Sequence, residues 1–334
     1  MIIVTGGAGF IGSNLIQALN RRGVDDILVV DDLEDGDKIN NLSDLSIADY
    51  MDKREFLSAM QRDDSLGAVA AVLHQGACAD TMATDGRYVM ENNFAYSKAL
   101  YHFCARHRAQ YLYASSASVY GGGDAFAEAP RNERALNAYA WSKLLFDQFV
   151  RRQARASFQC VGLRYFNVYG PREQHKGAMA SVARHFFAQY LRDGQVRLFA
   201  GGDGYADGEQ RRDFVSVDDI VAVNLFFLDH GDRSGIYNAG TGRSSSFNQV
   251  AVAVINACRR RRGQAPTTLR QALREAEIRY IPMPPALHGK YQSYTEADLT
   301  QLRDTGYDAD FRDIAQGVDE YVDALWKSRG EREE

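Results

Sequence analysis

Short apolar runs alternate with longer amphipathic stretches through the first half of the chain. Five runs rich in β-branched or aromatic residues are candidate strands, at residues 2–6, 27–32, 68–77, 111–120 and 159–170. Between the last two, residues 138–153 follow the helical period and predict an amphipathic helix whose apolar face lies on a sheet. The positions that carry this period are Tyr139, Ser142, Leu145, Phe146 and Phe149. Strands that alternate with helices are typical of βαβ units, so the pattern predicts a parallel sheet.

The alternation loosens after residue 168 and resumes at 213–229. A chain of 334 residues also favours two lobes over a single core. We therefore predict an α/β fold whose Rossmann-type, doubly wound parallel sheet is formed by residues 1–168 and about 214–248. A smaller, interleaved α/β domain, made mostly of about 169–213 and 249–334, would bind the substrate. The last predicted helix has a narrow apolar stripe formed by Ile314, Val318, Tyr321 and Leu325.

Composition narrows the range of partners. A net charge of −5 argues against nucleic acid as the main partner and favours small molecules. Four arginines at 259–262 follow an apolar helical stretch, and we interpret them as cations at a helix C-terminus rather than a nucleic-acid patch. No basic leader precedes the first strand, and no apolar run approaches the roughly 18 residues that cross a bilayer, so we expect a cytoplasmic protein without membrane contact. The four scattered cysteines contain no CxxC pair, which predicts neither a metal site nor a disulfide framework.

A glycine pattern lies directly between the first strand and the helix that follows it. Gly6, Gly9 and Gly12 have the spacing G-x-x-G-x-x-G, which permits a tight turn and brings backbone N–H groups against a pyrophosphate. Asp31 follows the last glycine by 19 residues, close to the spacing of about 20 expected for an acidic group at the adenosine ribose. Together the two features predict a dinucleotide site.

Two lysines leave the choice between NAD and NADP open. An aspartate such as Asp31 usually indicates NAD, because its carboxylate accepts a hydrogen bond from the ribose 2'-hydroxyl. Lys38 and Lys53, however, lie just beyond the second and third strands, where ammonium groups could hold a 2'-phosphate. The two side chains could equally be solvated surface lysines.

A tyrosine, a lysine and a serine have the spacing of a proton-transfer group. Tyr139 and Lys143 are one helical turn apart, so both side chains can face the same bound ring. A tyrosine titrates near pH 10, and a nearby ammonium group together with a positive nicotinamide would favour the phenolate. Ser116, at the end of the preceding strand, would hydrogen-bond the reacting hydroxyl. This spacing also occurs by chance on helices where the tyrosine only packs.

These residues, with RDFVSVDD at 212–219 and IYNAGTG at 236–242, resemble the extended short-chain dehydrogenase/reductase family of nucleotide-sugar enzymes. Within that family the whole chain is most similar to epimerases that act at C6'' of an ADP-linked heptose. The segments that carry this similarity are MIIVTGGAGFIGSN, IADYMDK, RYFNVYGPRE, HKG and YQSYTEADL. The resemblance implies NADP as the cofactor, an ADP-heptose as the substrate, a homopentamer as the assembly and a role in lipopolysaccharide core synthesis.

The resemblance also gives Lys176 a role. An epimerase at a secondary carbinol removes a hydride and returns it to the opposite face of the ketone. If Tyr139 deprotonates the hydroxyl of one epimer, a second base must serve the other face, and Lys176 would be that base. Desolvation would lower its pKa toward the working range. The alternative is a lysine that only pairs with the substrate diphosphate.

Further site residues are implied by the resemblance alone. The cofactor would contact Phe10, Ile11, Asp31, Asp32, Lys38, Lys53, Gln75, Gly76, Ala77, Cys78, Ala79, Asn92, Lys143 and Val168. The ADP-sugar would contact Asn167, Ala178, His185, Phe199, Ala200, Gly201, Gly202, Arg212 and Tyr291. Ala79 and Ala178 stand where family members often carry serine, and the segment 259–278 looks longer than usual.

Two other functions compete with this one. A UDP-hexose 4-epimerase or a sugar 4,6-dehydratase would use the same scaffold, although SSASVYGG lacks the acidic pair that a dehydratase is expected to show there. A non-catalytic NADP-binding regulator is disfavoured, because a sensor has no need of the base that Tyr139, Lys143 and Ser116 would form.

Overall fold

The computed structural model describes residues 1–62, 66–153, 157–284 and 292–333. Its strands are β1 (Ile2–Thr5), β2 (Ile27–Asp31), β3 (Asp49–Asp52), β4 (Ala71–His74), β5 (Gln110–Ser116), β6 (Cys160–Tyr165), β7 (Asn167–Tyr169), β8 (Val196–Phe199), β9 (Arg211–Arg212), β10 (Phe214–Ser216), β11 (Gly235–Ala239), β12 (Ser245–Ser246) and β13 (Ile278–Ile281). Its helices are α1 (Phe10–Arg21), α2 (Lys53–Arg62), α3 (Gly86–Met90), α4 (Tyr96–His107), α5 (Ala138–Arg152), α6 (Val182–Asp193), α7 (Val217–Asp229), α8 (Phe247–Arg261), α9 (Leu269–Arg274), α10 (Thr300–Asp304) and α11 (Ile314–Glu333).

Within these residues, seven strands form one parallel sheet in the order β3-β2-β1-β4-β5-β6-β11. One face packs on α1 and α7 through side chains such as Ile16 and Val221. The other face packs on α2, α4 and α5 through Phe56, Phe103 and Phe146. Helices on both faces and a strand order that reverses at β1 and β4 confirm the predicted doubly wound, Rossmann-type sheet. All seven carboxyl ends lie at one edge, where such sheets bind ligands.

A second hydrophobic core lies among α6, α8, α11 and the parallel pair β8–β13. It contains Phe187, Val254, Ile278, Val318 and Tyr321. The predicted C-terminal helix is confirmed, since α11 begins at Ile314 and buries the apolar stripe. The division of the chain into two interleaved domains remains our proposal.

Two predicted strands end earlier than the apolar runs suggest. The run 111–120 is a strand only to Ser116, because its hydroxyl accepts a hydrogen bond from Ser118 N (3.2 Å) and starts a 3-10 turn at 117–120. The run 159–170 breaks at Phe166 into β6 and β7, and β7 changes partner to pair with β10. The run 68–77 forms a strand only over 71–74.

The four arginines at 259–262 pair with acidic side chains or pack on an aromatic ring of the same protein. Arg259 Nη1 lies 2.9 Å from Glu277 Oε2, and Arg261 Nη1 lies 2.7 Å from Asp319 Oδ1. Arg262 lies over the Tyr190 ring at 5.5 Å. The interpretation as cations at a helix C-terminus is confirmed, because α8 ends at Arg261.

All four cysteines are free thiols. In the described ranges no group of three or more His, Cys, Asp or Glu side chains could hold a metal ion. None of the helices in the same ranges combines the length and apolar character of a membrane span.

A buried ion pair beneath the sheet edge yields a stability prediction. The side chains of Arg164 and Asp147 are 0% exposed, with Arg164 Nη2 2.9 Å from Asp147 Oδ2. The same carboxylate accepts hydrogen bonds from the hydroxyls of Tyr113 (3.0 Å) and Ser115 (2.9 Å). Asp147→Asn removes one of two counter-charges, because Arg164 also pairs with the buried Glu133. We therefore expect the free energy of unfolding to fall by about 1–3 kcal/mol. Urea denaturation measures this loss.

The matched control is Asp193→Asn, which removes an exposed carboxylate that pairs with Arg192 at 2.9 Å. An exposed pair of this kind contributes little, so the control should unfold close to the parent midpoint. Equal midpoints for the two variants would contradict the importance of the buried pair.

Candidate active site

The glycine turn between β1 and α1 closes tightly against the loop after β4. A Cβ on Gly12 would lie 2.1 Å from Gly6 O, and one on Gly6, whose φ is +66°, would lie 2.5 Å from Gly76 N. Neither position can therefore carry a side chain. Helix α1 begins after Gly9, and among the described residues no side chain caps its N-terminus. Its first N–H groups are thus available for a diphosphate, as the glycine pattern predicts.

A cleft of about 350 Å³ opens above this turn. Its volume lies in the range of about 300–1,000 Å³ typical of ligand pockets. From the predicted cofactor set it is lined by Gly6, Gly9, Phe10, Ile11, Gly12, Asp31, Asp32, Lys38, Lys53, Gln75, Gly76, Ala77, Cys78, Ala79 and Asn92. Lys143 and Val168 lie outside this lining, whereas Lys176 and His175 belong to it. The residues present therefore fit a dinucleotide.

The two lysines of the cleft are paired with neighbouring carboxylates rather than freely solvated. Lys38 Nζ lies 3.1 Å from Asp31 Oδ1 and 2.9 Å from Asp32 Oδ1. Lys53 Nζ pairs with the same Asp32 and lies 3.3 Å from Asn92 Oδ1. Asp31 also accepts a hydrogen bond from Ala8 N at 2.8 Å, which fastens the end of β2 to the glycine turn.

These ion pairs shift the pKa values of Asp32 and Lys38. Burial alone would raise the pKa of Asp32, but hydrogen bonds from Lys53 and Lys38 outweigh it and leave the pKa lowered. Burial alone would lower the pKa of Lys38, but the carboxylates of Asp31 and Asp32 outweigh it and leave the pKa raised. Both ammonium groups pair with Asp32 and so lie on the same side of the cleft, beside the Asp31 carboxylate, which suits a ribose hydroxyl.

The serine, tyrosine and lysine meet at the carboxyl end of β5. Asn137 caps α5 by accepting a hydrogen bond from Ala140 N at 2.8 Å. Tyr139, in the first turn of α5, lies close enough to Ser116 for the serine side chain to offset part of the effect of burial on the pKa of the phenol. One turn later Lys143 is 5% exposed, and its Nζ donates to Ala114 O at 2.8 Å. The predicted group is thus assembled.

The electrostatics of the tyrosine differ from the sequence prediction. The neighbouring ammonium was expected to favour the phenolate. In the protein alone, burial raises the pKa of Tyr139, and the side chain of Ser116 offsets only part of that effect. Burial also lowers the pKa of Lys143 to about 8, against the influence of Asp147, so its ammonium form persists at neutral pH and is lost as the pH rises through about 8. A further positive charge must act on the phenol to ionise it.

Asn93, which sequence analysis missed, joins the cofactor loop to the catalytic helix. It lies on a π-helical turn at 91–95 and is 1% exposed. Its amide accepts from Cys78 N (2.8 Å) and donates to Cys78 O (3.0 Å) and Ser142 Oγ (3.0 Å). Cys78 lines the cleft and Ser142 precedes Lys143 on α5, so these bonds join the cleft to the catalytic helix.

Lys176 reaches the cleft from the loop after β7. It lies on the 3-10 turn Gln174–Met179, and its Nζ is 5.1 Å from the centroid of the Phe10 ring, at the start of α1. Burial lowers the pKa of Lys176 against the influence of Glu173, in the direction that sequence analysis predicts. The structure therefore brings Lys176 to the cofactor cleft, on a different element from Tyr139.

The predicted substrate residues fall into three groups. Asn167 begins β7, where its backbone N donates to Asp213 O (3.0 Å) beside Arg212, which is 6% exposed. His185 on α6 has its Nε2 3.2 Å from Ala178 O. The turn formed by Phe199, Ala200, Gly201 and Gly202 is held by Asp207 Oδ1, which accepts from Gly201 N at 2.7 Å. Tyr291 lies outside the described residues.

A larger cavity of about 930 Å³ lies elsewhere, among α8, α9 and the start of α11. Val252, Pro266 and Ile314 line it, and it contains none of the predicted site residues. We therefore assign the chemistry to the cleft of about 350 Å³. That cleft is lined by the glycine turn and by Lys176, whose pKa is lowered.

Known proteins resemble the chain over nearly its whole length. The model of the NAD dependent epimerase/dehydratase family matches residues 2–240. The curated ADP-L-glycero-D-manno-heptose-6-epimerase of Thiobacillus denitrificans is 57% identical over 327 residues, covering 98% of each chain.

Solved structures agree with this result. The ADP-L-glycero-D-manno-heptose-6-epimerase of Helicobacter pylori superposes with a TM-score of 0.80 at 29% identity, covering 97% of this chain and 95% of the other. The UDP-glucose 4-epimerase of Thermus thermophilus in complex with NAD has a TM-score of 0.75 at 28% identity, covering 96% and 97%. The predicted kinship with nucleotide-sugar epimerases is confirmed, and the chain belongs to the NAD dependent epimerase/dehydratase family of enzymes.

Proposed function

We propose that the protein converts ADP-D-glycero-D-manno-heptose to ADP-L-glycero-D-manno-heptose, with NADP as cofactor and a transient ketone at C6''. One observation carries the proposal: Lys176 lines the dinucleotide cleft, and Tyr139 lies on a separate element, α5, which Asn93 joins to the Cys78 loop of the same cleft. The identity of 57% to a curated ADP-L-glycero-D-manno-heptose-6-epimerase supports the choice of substrate.

In this proposal Tyr139 and Ser116 carry out the proton transfer at the 6''-hydroxyl. A bound nicotinamide supplies the chemistry of accepting a hydride from C6'' and returning it. Tyr139 takes the proton of the 6''-hydroxyl as a phenolate, and Ser116 hydrogen-bonds the same oxygen. Because burial raises the pKa of Tyr139 in the protein alone, the phenolate needs positive charge from Lys143 and from the oxidised ring. Tyr139 therefore removes the proton only when the oxidised cofactor is bound.

Lys176 serves the opposite epimer. Its pKa is lowered by burial, so a neutral amine is more accessible at working pH than it is for an exposed lysine. A base on the loop after β7 approaches the carbonyl from another direction than a tyrosine on α5. Two bases on two elements allow the hydroxyl to be deprotonated in either configuration.

Three further assignments belong to this proposal. Arg212 binds the substrate diphosphate, because a planar guanidinium makes paired charge-assisted bonds. Asn167, His185 and the 199–202 turn contact the ADP-sugar. The protein assembles as a homo-oligomer, as the resemblance to this family implies.

Cofactor choice is tested by Lys53→Ala. The variant removes one of the two ammonium groups beside Asp31 and Asp32, and only NADP carries the extra phosphate that they would bind. We expect NADPH affinity to fall about tenfold or more, equivalent to about 1.4 kcal/mol, while NADH affinity changes much less. Fluorescence titration of both nucleotides measures this difference, with Lys98→Ala as a control outside the cleft. Equal losses of NADPH and NADH affinity would show that Lys53 does not bind the 2'-phosphate.

The substrate is tested by parallel incubation with ADP-D-glycero-D-manno-heptose and UDP-galactose, with product stereochemistry followed by NMR. Inversion at C6'' of the heptose, with UDP-galactose unchanged, supports the proposal. Inversion at C4 of the hexose with the heptose untouched would assign the chain to the UDP-hexose 4-epimerases instead.

A further inference from the structure

A single buried amide links the ribose end of the cleft to the loop that carries Lys176. Asn41 ends the 3-10 turn Gly36–Asn41 that contains Lys38, and it is 4% exposed. Its Nδ2 donates to Ala8 O of the glycine turn (3.0 Å) and to Arg172 O (3.1 Å). The same nitrogen lies 3.1 Å from Nδ1 of His175, the residue before Lys176. One side chain therefore contacts two other segments of the site, the glycine turn and the 171–175 segment.

A second set of contacts fastens the same loop. Arg172 Nη1 donates to Asn41 O (2.7 Å) and to Asp44 Oδ1 (2.9 Å). Asn14 on α1 donates from Nδ2 to Pro171 O at 3.0 Å. The segment 171–175 is thus held against α1 and the 36–44 segment by side chains from both.

The loop keeps an unfavourable backbone conformation between these contacts. Arg172 has a φ of +72°, a left-handed value that residues other than glycine adopt only at a cost. Such conformations persist when their surroundings determine them, and cluster at ligand sites and clamps. Asn41 donates a hydrogen bond to the carbonyl of Arg172 and accepts one from its guanidinium. The residue with the unfavourable φ is therefore held in place by Asn41.

The far side of the loop is anchored independently. Glu173 is 0% exposed, and its carboxylate accepts hydrogen bonds from Ser181 N (2.6 Å) and the Tyr321 hydroxyl (2.7 Å). Lys176 follows after this anchor, and its Nζ lies over the Phe10 ring, 5.1 Å from the ring centroid. Asn41 is therefore a buried polar group that, with Asn14, holds the Lys176 segment against the glycine turn and the start of α1.

We propose that Asn41 is a positioning residue: it fixes the approach of Lys176 to the cofactor cleft by fastening the 171–175 segment to the glycine turn. The inference rests on the proposed function only for the step that Lys176 performs. Loss of the amide donor would let the segment relax, and the ammonium group would leave its place over Phe10.

Asn41→Asp is the direct test, because it preserves shape but turns the donating nitrogen into an oxygen that faces two carbonyls. We measure single-turnover oxidation from each pure C6'' epimer at saturating NADP, for this variant and for Lys176→Met. We expect Asn41→Asp to slow the same epimer that Lys176→Met slows, by about tenfold or more, equivalent to about 1.4 kcal/mol. The other epimer should stay within about twofold of the parent rate, which corresponds to about 0.4 kcal/mol.

Two further variants test whether the effect comes from the added charge alone and whether the contacts of Arg172 matter. Asn40→Asp adds the same charge at the exposed neighbouring position and should leave both epimers at the parent rate. Asp44→Ala removes the exposed partner of Arg172 and should reproduce the pattern of Asn41→Asp more weakly, even if Asn41→Asp folds poorly.

A double variant decides between positioning and a general structural role. With Lys176 already replaced, Asn41→Asp should cause no further loss, because both changes then act through one group. Additive losses, or equal slowing of both epimers, would overturn the proposal. If Lys176→Met shows no epimer preference and only weakens substrate binding, the two-base function fails. The positioning role then stands only if Asn41→Asp weakens the same binding.

Discussion

Tyr139→Phe is expected to lower turnover at least about 10²-fold, the contribution typical of general-base catalysis. The variant removes only the phenol oxygen, and leaves the ring in place on α5. Because Lys143 bonds to Ala114 O rather than to the phenol, the lysine should stay where it is. Fold and cofactor binding should therefore survive while proton transfer is lost.

The measurement is the initial rate of C6'' inversion by NMR, with NADPH affinity determined on the same preparation. Tyr280→Phe is the matched control, since it removes a phenol hydroxyl that bonds to Asn248 Oδ1 (3.0 Å) outside the site. Unchanged turnover in Tyr139→Phe would remove that residue from the mechanism.

Lys176→Met should slow oxidation from one epimer at least about 10²-fold, leaving a measurable residual rate, and should spare the other epimer. Methionine keeps the length of the side chain and its contact with Phe10, but supplies no amine to accept a proton. If two bases serve two faces, Tyr139→Phe must show the opposite preference. Single-turnover NADPH formation from each pure epimer, after substrate binding is confirmed by calorimetry, resolves the two reactions.

A different pattern would assign Lys176 another role. If Lys176→Met only raises the substrate dissociation constant, and both bound epimers are oxidised at the parent rate, the lysine anchors the diphosphate. Tyr139 would then have to serve both faces.

Local patterns predicted the scaffold of the site well. The glycine spacing, the aspartate at the end of β2 and the helical turn between Tyr139 and Lys143 are set by neighbours in the chain, so they can be read from sequence. The apolar stripe beginning at Ile314 became α11 for the same reason. Kinship with the epimerase family followed from such motifs, and the comparisons confirm it.

Contacts between distant segments could not be predicted in this way. The strand ends at Ser116 and Phe166 depend on a capping hydroxyl and a change of strand partner, which apolar runs do not encode. The pKa of Tyr139 is raised because of burial by several elements, and no local pattern reports it. Asn41 and Asn93 are ordinary residues in the sequence, and only their amide contacts reveal what they join.

The proposed function requires that C6'' is oxidised to a ketone and reduced again on its other face. ADP-D-glycero-D-manno-heptose carrying deuterium at C6'' tests this step, with configuration and label followed by NMR in ordinary water. We expect an inverted product that retains deuterium at C6'', because the same hydride equivalent leaves and returns. Inversion with loss of the label to solvent would contradict it, since that outcome requires removal of C6'' hydrogen as a proton.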